Sequence, residues 1–421
     1  MGLPRLARPV PPCGPRLWSA LHVLLLSQSC SMLAPTAAAA PRKHLLVDMH
    51  DVESVSGAHF VMNPPSCDRT PVLEPDSDWE VSANLSFNVY HSVVTEPDSS
   101  GGLPLLRLWY NLLNDSAADS KPYLVGYAES TDRGRTFSKP LLHQYELNGS
   151  TANNIVGRGM STPMHEGCSV WVDPTASLGG EYVSQAKCAS GCSGLGFSVS
   201  KDGKVWQNVS EWNAGAGGCD TQSNIFADPW TGEFALYTRN WVRSVPEYRT
   251  IRRLTCPKGT LSPESAGTCW SNQSVVMAPD AMDRCHAGGT CSNATIGLDY
   301  YGGVIWPYIS SSTPLYFMFT QRTWHWVPKT EEEWGTEGML GPAMIDVGLA
   351  VSRDGISFTH VGGREPFIGG GLAETFDSQF QWMLPYPASV GKDEIAYFYA
   401  GTNTDHDGQV CCFDSSRVSK R

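Results

Sequence analysis

The sequence predicts an all-β fold: a five-bladed β-propeller whose last blade is incomplete. Three observations carry this expectation. A hairpin signature recurs as STDRGRTF at 130–137, SKDGKVW at 200–206 and SRDGISF at 352–358. Between the copies, β-branched and aromatic residues alternate with period two, and no long helical pattern competes. The first two copies start 70 residues apart and the third starts 152 further on. At about 70 residues per unit, residues 44–421 hold five units of the kind that close radially into a propeller.

Each copy has a Ser, an Asp two residues later, a Gly and a terminal aromatic. That order suits a tight hairpin: the Asp caps the turn, the Gly supplies positive φ and the aromatic packs between sheets. Asp132, Asp202 and Asp354 are therefore turn residues. Spacing places a degenerate copy at 255–270, its insertion clipped by Cys256 and Cys269.

The intervals between copies also rhyme. Strand pairs are expected at 107–113 with 123–130, 169–186, 225–240, 304–321 and 382–401, two of them turning through Asp-Pro at Asp173 and Asp228. Those two Asp are expected to end strands. The second strand of the fifth unit is expected to begin near Ile395, with residues 44–48 free to serve as its outer strand.

Composition agrees with a globular chain. Of 421 residues, 41% are hydrophobic and only 17% charged, which excludes a long disordered or coiled-coil protein. Lys and Arg number 30 against 42 Asp and Glu, a net charge of −12. A surface this acidic repels phosphate backbones, so nucleic acid is not an expected partner.

Arg5, Arg8 and Arg16 precede an apolar run from Leu17 to Leu26, followed by small residues at 37–40. This is the order of a secretory signal peptide over residues 1–40. The run is too short to span a bilayer, so a secreted or lumenal protein without membrane attachment after cleavage is expected. Sequons at Asn84, Asn114, Asn148, Asn208, Asn272 and Asn293 suit that route. Eleven Cys follow residue 40, and disulfides are the expected use, with Cys256–Cys269 and Cys285–Cys291 as local clips.

Several segments together carry a family resemblance. They are LLVDMHDVES (45–54), PVLEPDSDWE (71–80), ELNGSTANNIV (146–156), CDTQSNIFADP (219–229) and MIDVGLAVSRDGISF (344–358), with REPFIGGG (364–371) and FDSQ (376–379). The chain resembles an uncharacterised group of propellers related to the invertase, levansucrase and arabinanase glycoside hydrolases. The resemblance spans roughly residues 44–409 and implies a carbohydrate ligand or substrate. The invertase Asn-Asp-Pro-Asn-Gly strand is absent, and Ala227-Asp228-Pro229 stands where an Arg-Asp-Pro would be sought. The resemblance also implies further strands beyond Arg421.

The repeat aligns the inner strands. Counting back 14–18 residues from the second strands reaches Glu166, Asp220, Asp299 and Asp377, each near the start of an inner strand. The first unit offers Tyr90-His91 there, with Glu80 one turn earlier. Gly302-Gly303 leaves the register at Asp299 open. Convergent carboxylates suit glycoside hydrolysis, which needs one acid to protonate the leaving oxygen and one carboxylate as nucleophile or base. By analogy with the related clan, Glu166 is the candidate general acid, with Asp220 and Asp377 as base and supporting carboxylate. Glu80, His91, His165, Gln222, Arg239, Asp299 and His406 are candidates for binding hydroxyls, and Trp79 and Trp382 for stacking on a sugar. The bland reading is that these acids bond across inner strands or hold an axial calcium ion; no cofactor is required.

Three functions compete: a glycoside hydrolase, a non-catalytic glycan-binding propeller and a sialidase. Sialidases need six blades and three convergent Arg. Five units and acid-bearing inner strands argue against that reading.

Overall fold

The computed structural model describes residues 45–67, 69–114, 123–159, 162–188, 194–213, 221–242, 248–283, 298–309, 311, 313–325, 343–373, 375–391, 394–404 and 417–420. Nearly all regular structure is strand. The chain enters through β1 (Pro71–Leu73) and one short helix, α1 (Asp78–Ser82), whose first turn is closed by a capping box between Ser77 and Glu80. Four antiparallel sheets then follow in order.

In the first sheet, β2 (Leu85–Phe87) and β3 (Ser92–Glu96) are both innermost and pair successive parts of β4 (Leu105–Asn114). β5 (Tyr123–Ser130) and β6 (Ile155–Arg158) complete it. The second runs through β7 (Ser169–Val172), β8 (Tyr182–Lys187), β9 (Gly194–Ser200) and β10 (Trp206–Asn213). The third runs through β11 (Asn224–Ala227), β12 (Phe234–Val242), β13 (Tyr248–Cys256) and β14 (Ser271–Met277). The fourth has β15 (Leu298–Pro307), β16 (Tyr316–His325), β17 (Ala343–Ser352) and the two-residue β18 (Thr359–His360). This is a propeller-like arrangement of four blades.

One parallel pairing, Ile345 with Phe380, carries the fourth sheet on into β19 (Phe380–Met383). The hairpin β20 (Ala388–Gly391) with β21 (Glu394–Ala396) intervenes before β22 (Phe398–Thr402) and β23 (Arg417–Lys420). The expected start near Ile395 is thus corrected: Ile395 belongs to the separate hairpin, and the strand beside β19 begins at Phe398. Residues 45–48 form no strand; β1 takes the outer position on β23.

Five apolar cores lie between successive sheets among the described residues. Trp109 and Val170 belong to the core of the first and second sheets. Phe197 and Leu236 share the next, and Tyr237 and Met318 the one after. Val347 and Tyr399 join the fourth sheet to the β19–β22 segment. Phe398 and Trp382 return that segment to Leu108 of the first sheet.

The hairpin signatures behave as local chemistry dictates. Ser130, Ser200 and Ser352 each donate a hydroxyl to the Asp two residues on, at 2.7, 2.9 and 2.8 Å. Each Asp then accepts backbone N–H groups from the turn that follows. Burial opposes ionisation of Asp132, but donors from Thr136, Ser130 and Arg135 outweigh it and hold the carboxyl at about 2.

The Gly matters for a second reason. Trp109 Nε1 donates to the Gly203 carbonyl at 2.8 Å, and Tyr237 OH to the Gly355 carbonyl at 2.7 Å, each from the preceding sheet. Gly203 has φ +72°, and a Cβ there would stand 2.9 Å from the Trp109 ring. Gly203→Ala is therefore expected to cost about 1–3 kcal/mol through backbone strain and lost sheet-to-sheet packing. Urea unfolding measures this, and an unchanged midpoint would refute it.

Candidate functional site

Residues leading into β3, β7 and β11 meet Trp382 of β19 at one end of the inner strands, the mouth. Gln222 is the hub: its Nε2 donates to the carbonyls of His91 (2.7 Å) and Cys168 (2.9 Å), and its Oε1 accepts from Trp382 Nε1 (3.0 Å). One side chain thereby ties four sheets together. Trp382 is buried in the wall, edge-on to Tyr90 at 5.1 Å and Tyr301 at 5.4 Å and stacked on Phe380. Burial, with nearby Tyr301 and Glu166, pushes the Tyr90 phenol well above its usual value. Tyr90 thus presents a neutral hydroxyl.

Glu166 stands three residues before β7 and keeps 14% of its side chain exposed. Lys187, at the end of β8, places Nζ 3.6 Å from Glu166 Oε2, and its backbone N–H donates to the Glu166 carbonyl. Glu166 is the most open of the sequence-derived acids whose surroundings are described. His165, beside it, is buried and lines a cleft on the second sheet.

The other carboxylates are engaged. Asp299 accepts from Arg249 N at 3.0 Å and Arg249 Nη1 at 3.3 Å, with both side chains buried. A bulge between Tyr300 and Gly302 resolves the open register and turns Tyr301 out of the ladder. The Arg249 guanidinium lies over the Tyr301 ring at 4.3 Å and over Trp241 at 5.1 Å, and Arg239 lies over the same rings at 5.3 and 5.1 Å. Asp377 is fully buried, with Oδ2 2.5 Å from Arg69 Nη1 and 2.7 Å from Tyr399 OH, and Oδ1 2.9 Å from Thr375. Glu80 is buried as well, accepting from Asp76 and Ser77 N–H, Tyr110 OH and Lys139 Nζ. Trp79 is half-buried against the first core.

Asp220 and His406 lie outside the described residues, as do Cys285, Cys291 and Asn293. The Cys256–Cys269 disulfide is present. Asn84, Asn148, Asn208 and Asn272 are exposed; the side chain of Asn114 is outside the described set. Among the described residues, no group of three His, Cys, Asp or Glu is placed to hold a metal ion. No described helix is long and apolar enough to cross a membrane.

Sequence reasoning missed Lys187, Trp241, Arg249 and Tyr301. The first three sit at ends of second or third strands, where the inner-strand alignment does not look. Tyr301 is turned in by a bulge, for which Gly302-Gly303 was the available signal.

His91 is fully buried. Its Nδ1 accepts the Asn111 N–H at 3.1 Å, so the ring is neutral with its proton on Nε2. Burial pulls its pKa down to about 3 from the ordinary 6.5. Stability from this group is therefore complete above pH 6.5 and falls as pH drops toward 3, because the unfolded chain binds a proton that the fold refuses. The expected slope is about 1.4 kcal/mol per pH unit in that window. His91→Gln should remove that share of the slope; an identical slope in the variant would exclude His91 as its source.

The fold and this mouth define a class: an all-β, propeller-like protein with carboxylates, guanidiniums and aromatic rings gathered at one end of the inner strands. No family model matches the chain, and no curated protein sequence matches it. Solved structures do. A protein described as a glycoside hydrolase is similar at 12% identity, over 85% of this chain and 91% of that chain, with a TM-score of 0.47. A glycosyl hydrolase from Bacteroides ovatus is similar at 13% identity, over 86% and 94%, with a TM-score of 0.48. An alpha-L-arabinofuranosidase from Podospora anserina is similar at 10% identity, over 83% and 94%, with a TM-score of 0.45.

Proposed function

We propose that this chain is a secreted glycoside hydrolase-like protein that cleaves a glycosidic bond at the mouth by two-carboxylate acid/base chemistry. The observation that carries the reading is Glu166: a part-exposed carboxylate at the convergence of the inner strands, beside Lys187, Tyr90 and the Gln222 hub. Glu166 is assigned the general acid. Asp220 precedes Thr221 and Gln222 in sequence and is assigned, on sequence grounds, the base or nucleophile. Asp377, tied to Arg69, is the supporting carboxylate.

The β19–β22–β23–β1 segment is proposed as a fifth blade, closed by an outer strand from the N-terminal side. Two observations support it. The segment has its own apolar core against each neighbour. Phe398, on its second strand, meets the Gly134 hairpin as Trp109 and Tyr237 meet Gly203 and Gly355. Secretion is supported by the signal-like residues 1–40, the Cys256–Cys269 disulfide and the exposed sequons.

A specific observation favours a second reading, a glycan-binding module without turnover. Asp299 and Asp377 are both buried in ion pairs with Arg. Secreted protein screened against aryl glycosides and plant or algal oligosaccharides, with thermal-shift binding measured alongside, separates the two. Sugar release establishes the hydrolase. Stabilisation by a glycan without release establishes the binding module, and neither signal from folded protein overturns both.

A further inference from the structure

The cleft beside His165 has a feature that the mouth chemistry does not use. It has a volume of about 320 Å³ and is lined by Pro163, His165, Gly196, Ser198, Asn208 and Ser210, among others. That volume lies at the lower end of small-ligand pockets, roughly 300–1,000 Å³. Two of the lining residues, Asn208 and Ser210, are the first and third positions of a sequon. The sequon sits in a β-bulge of β10, where the register against β9 shifts between Asn208 and Ser210.

The Asn208 side chain is exposed but oriented. Its Oδ1 lies 3.0 Å from Ser198 Oγ, whose single proton it shares with the Pro163 carbonyl at 2.9 Å. The amide nitrogen is left as the atom to carry a substituent. Gly196 keeps its part of the lining open, since a Cβ there would meet only the Lys187 carbonyl, at 3.7 Å. The sequon residues Asn84, Asn148 and Asn272 differ: all three are exposed at positive φ (52, 51 and 52°).

We propose that Asn208 is N-glycosylated and that the first N-acetylhexosamine of its glycan is seated in this cleft. The proposal rests on the secretory reading above. Transfer from a lipid-linked diphosphate sugar donor forms the Nδ2–C1 bond, breaks the C1–O bond to the diphosphate and releases one amide proton. It occurs on the unfolded chain, so the strand position of the sequon is no barrier. On folding, the sugar ring lies over Gly196 against the Pro163–His165 turn, and the rest of the glycan leaves the cleft at its open side.

The test uses full-length protein from a eukaryotic secretory host, glycopeptide mass spectrometry and native digestion with a peptide N-glycosidase. Asn208 is expected to be occupied and to lose its glycan at least about tenfold more slowly than Asn84, Asn148 and Asn272, each factor of ten standing for about 1.4 kcal/mol of seating. Denaturation should abolish the difference. Gly196→Val fills part of the cleft without touching the sequon and should raise the Asn208 release rate to that of the others. A bare Asn208 beside three occupied sites overturns the proposal, as does equally fast release from the native protein. Four bare sites on a secreted chain overturn the proposal, whereas a chain that does not enter the secretory pathway overturns the secretory reading itself.

Discussion

Arg322→Met is expected to lower folding stability by about 3–5 kcal/mol, the usual cost of stranding a buried charge. Arg322 on β16 and Asp346 on β17 are both buried and paired through two parallel bonds, Nε to Oδ1 at 2.6 Å and Nη2 to Oδ2 at 2.7 Å. A third donor, Nη1, reaches the Arg364 carbonyl at 2.7 Å, and the guanidinium lies over Trp324 at 5.4 Å. Burial pushes the Asp346 carboxyl up even though Arg322 opposes it. Without Arg322, the Asp346 carboxylate keeps a hydrogen bond from the Trp324 side chain but loses its paired cation. Adding Asp346→Asn to Arg322→Met should recover part of the loss, because an amide carries no charge to strand. Urea unfolding at neutral pH measures both variants, and a loss under about 1 kcal/mol in the single variant would show that the pair is not what stabilises this part of the fourth sheet.

Glu166→Gln is expected to lower glycosidase turnover by about 10²–10⁴-fold, the range that a positioned acid or base contributes. The substitution preserves shape and leaves the backbone bond from Lys187 intact. Its partner Lys187 is 36% exposed, so the lost ion pair should cost little stability. Thermal unfolding close to wild type, with sugar binding retained and release lost, is the expected outcome. Turnover at the wild-type rate removes Glu166 from the acid role.

Among the described residues, Glu166, Asp299 and Asp377 stand near the starts of β7, β15 and β19, but the inner-strand alignment could not rank them. Asp299, Asp377 and Glu166 look alike in the sequence, each a carboxylate at an inner-strand start. In the fold the first two are buried against Arg249 and Arg69, while Glu166 keeps an open face. Arg69 is 308 residues from Asp377 in the chain, and no periodicity points from one to the other. The outer strand went to Pro71–Leu73 because β1 pairs with β23, a choice between two short N-terminal segments that local pattern does not separate.

By itself the sequence determined the strand pairs of the first four sheets, the three capped hairpins and the Cys256–Cys269 clip. Each of these depends on residues within one turn or one strand pair, where backbone geometry and side-chain reach are settled locally. Only the tertiary structure decided that Gln222 would tie four sheets, that Tyr301 would turn in at a bulge, and which carboxylate would stay open. Those outcomes depend on which side chains of different sheets come within bonding distance once the sheets pack, and burial then sets whether a charge is paired or left to solvent.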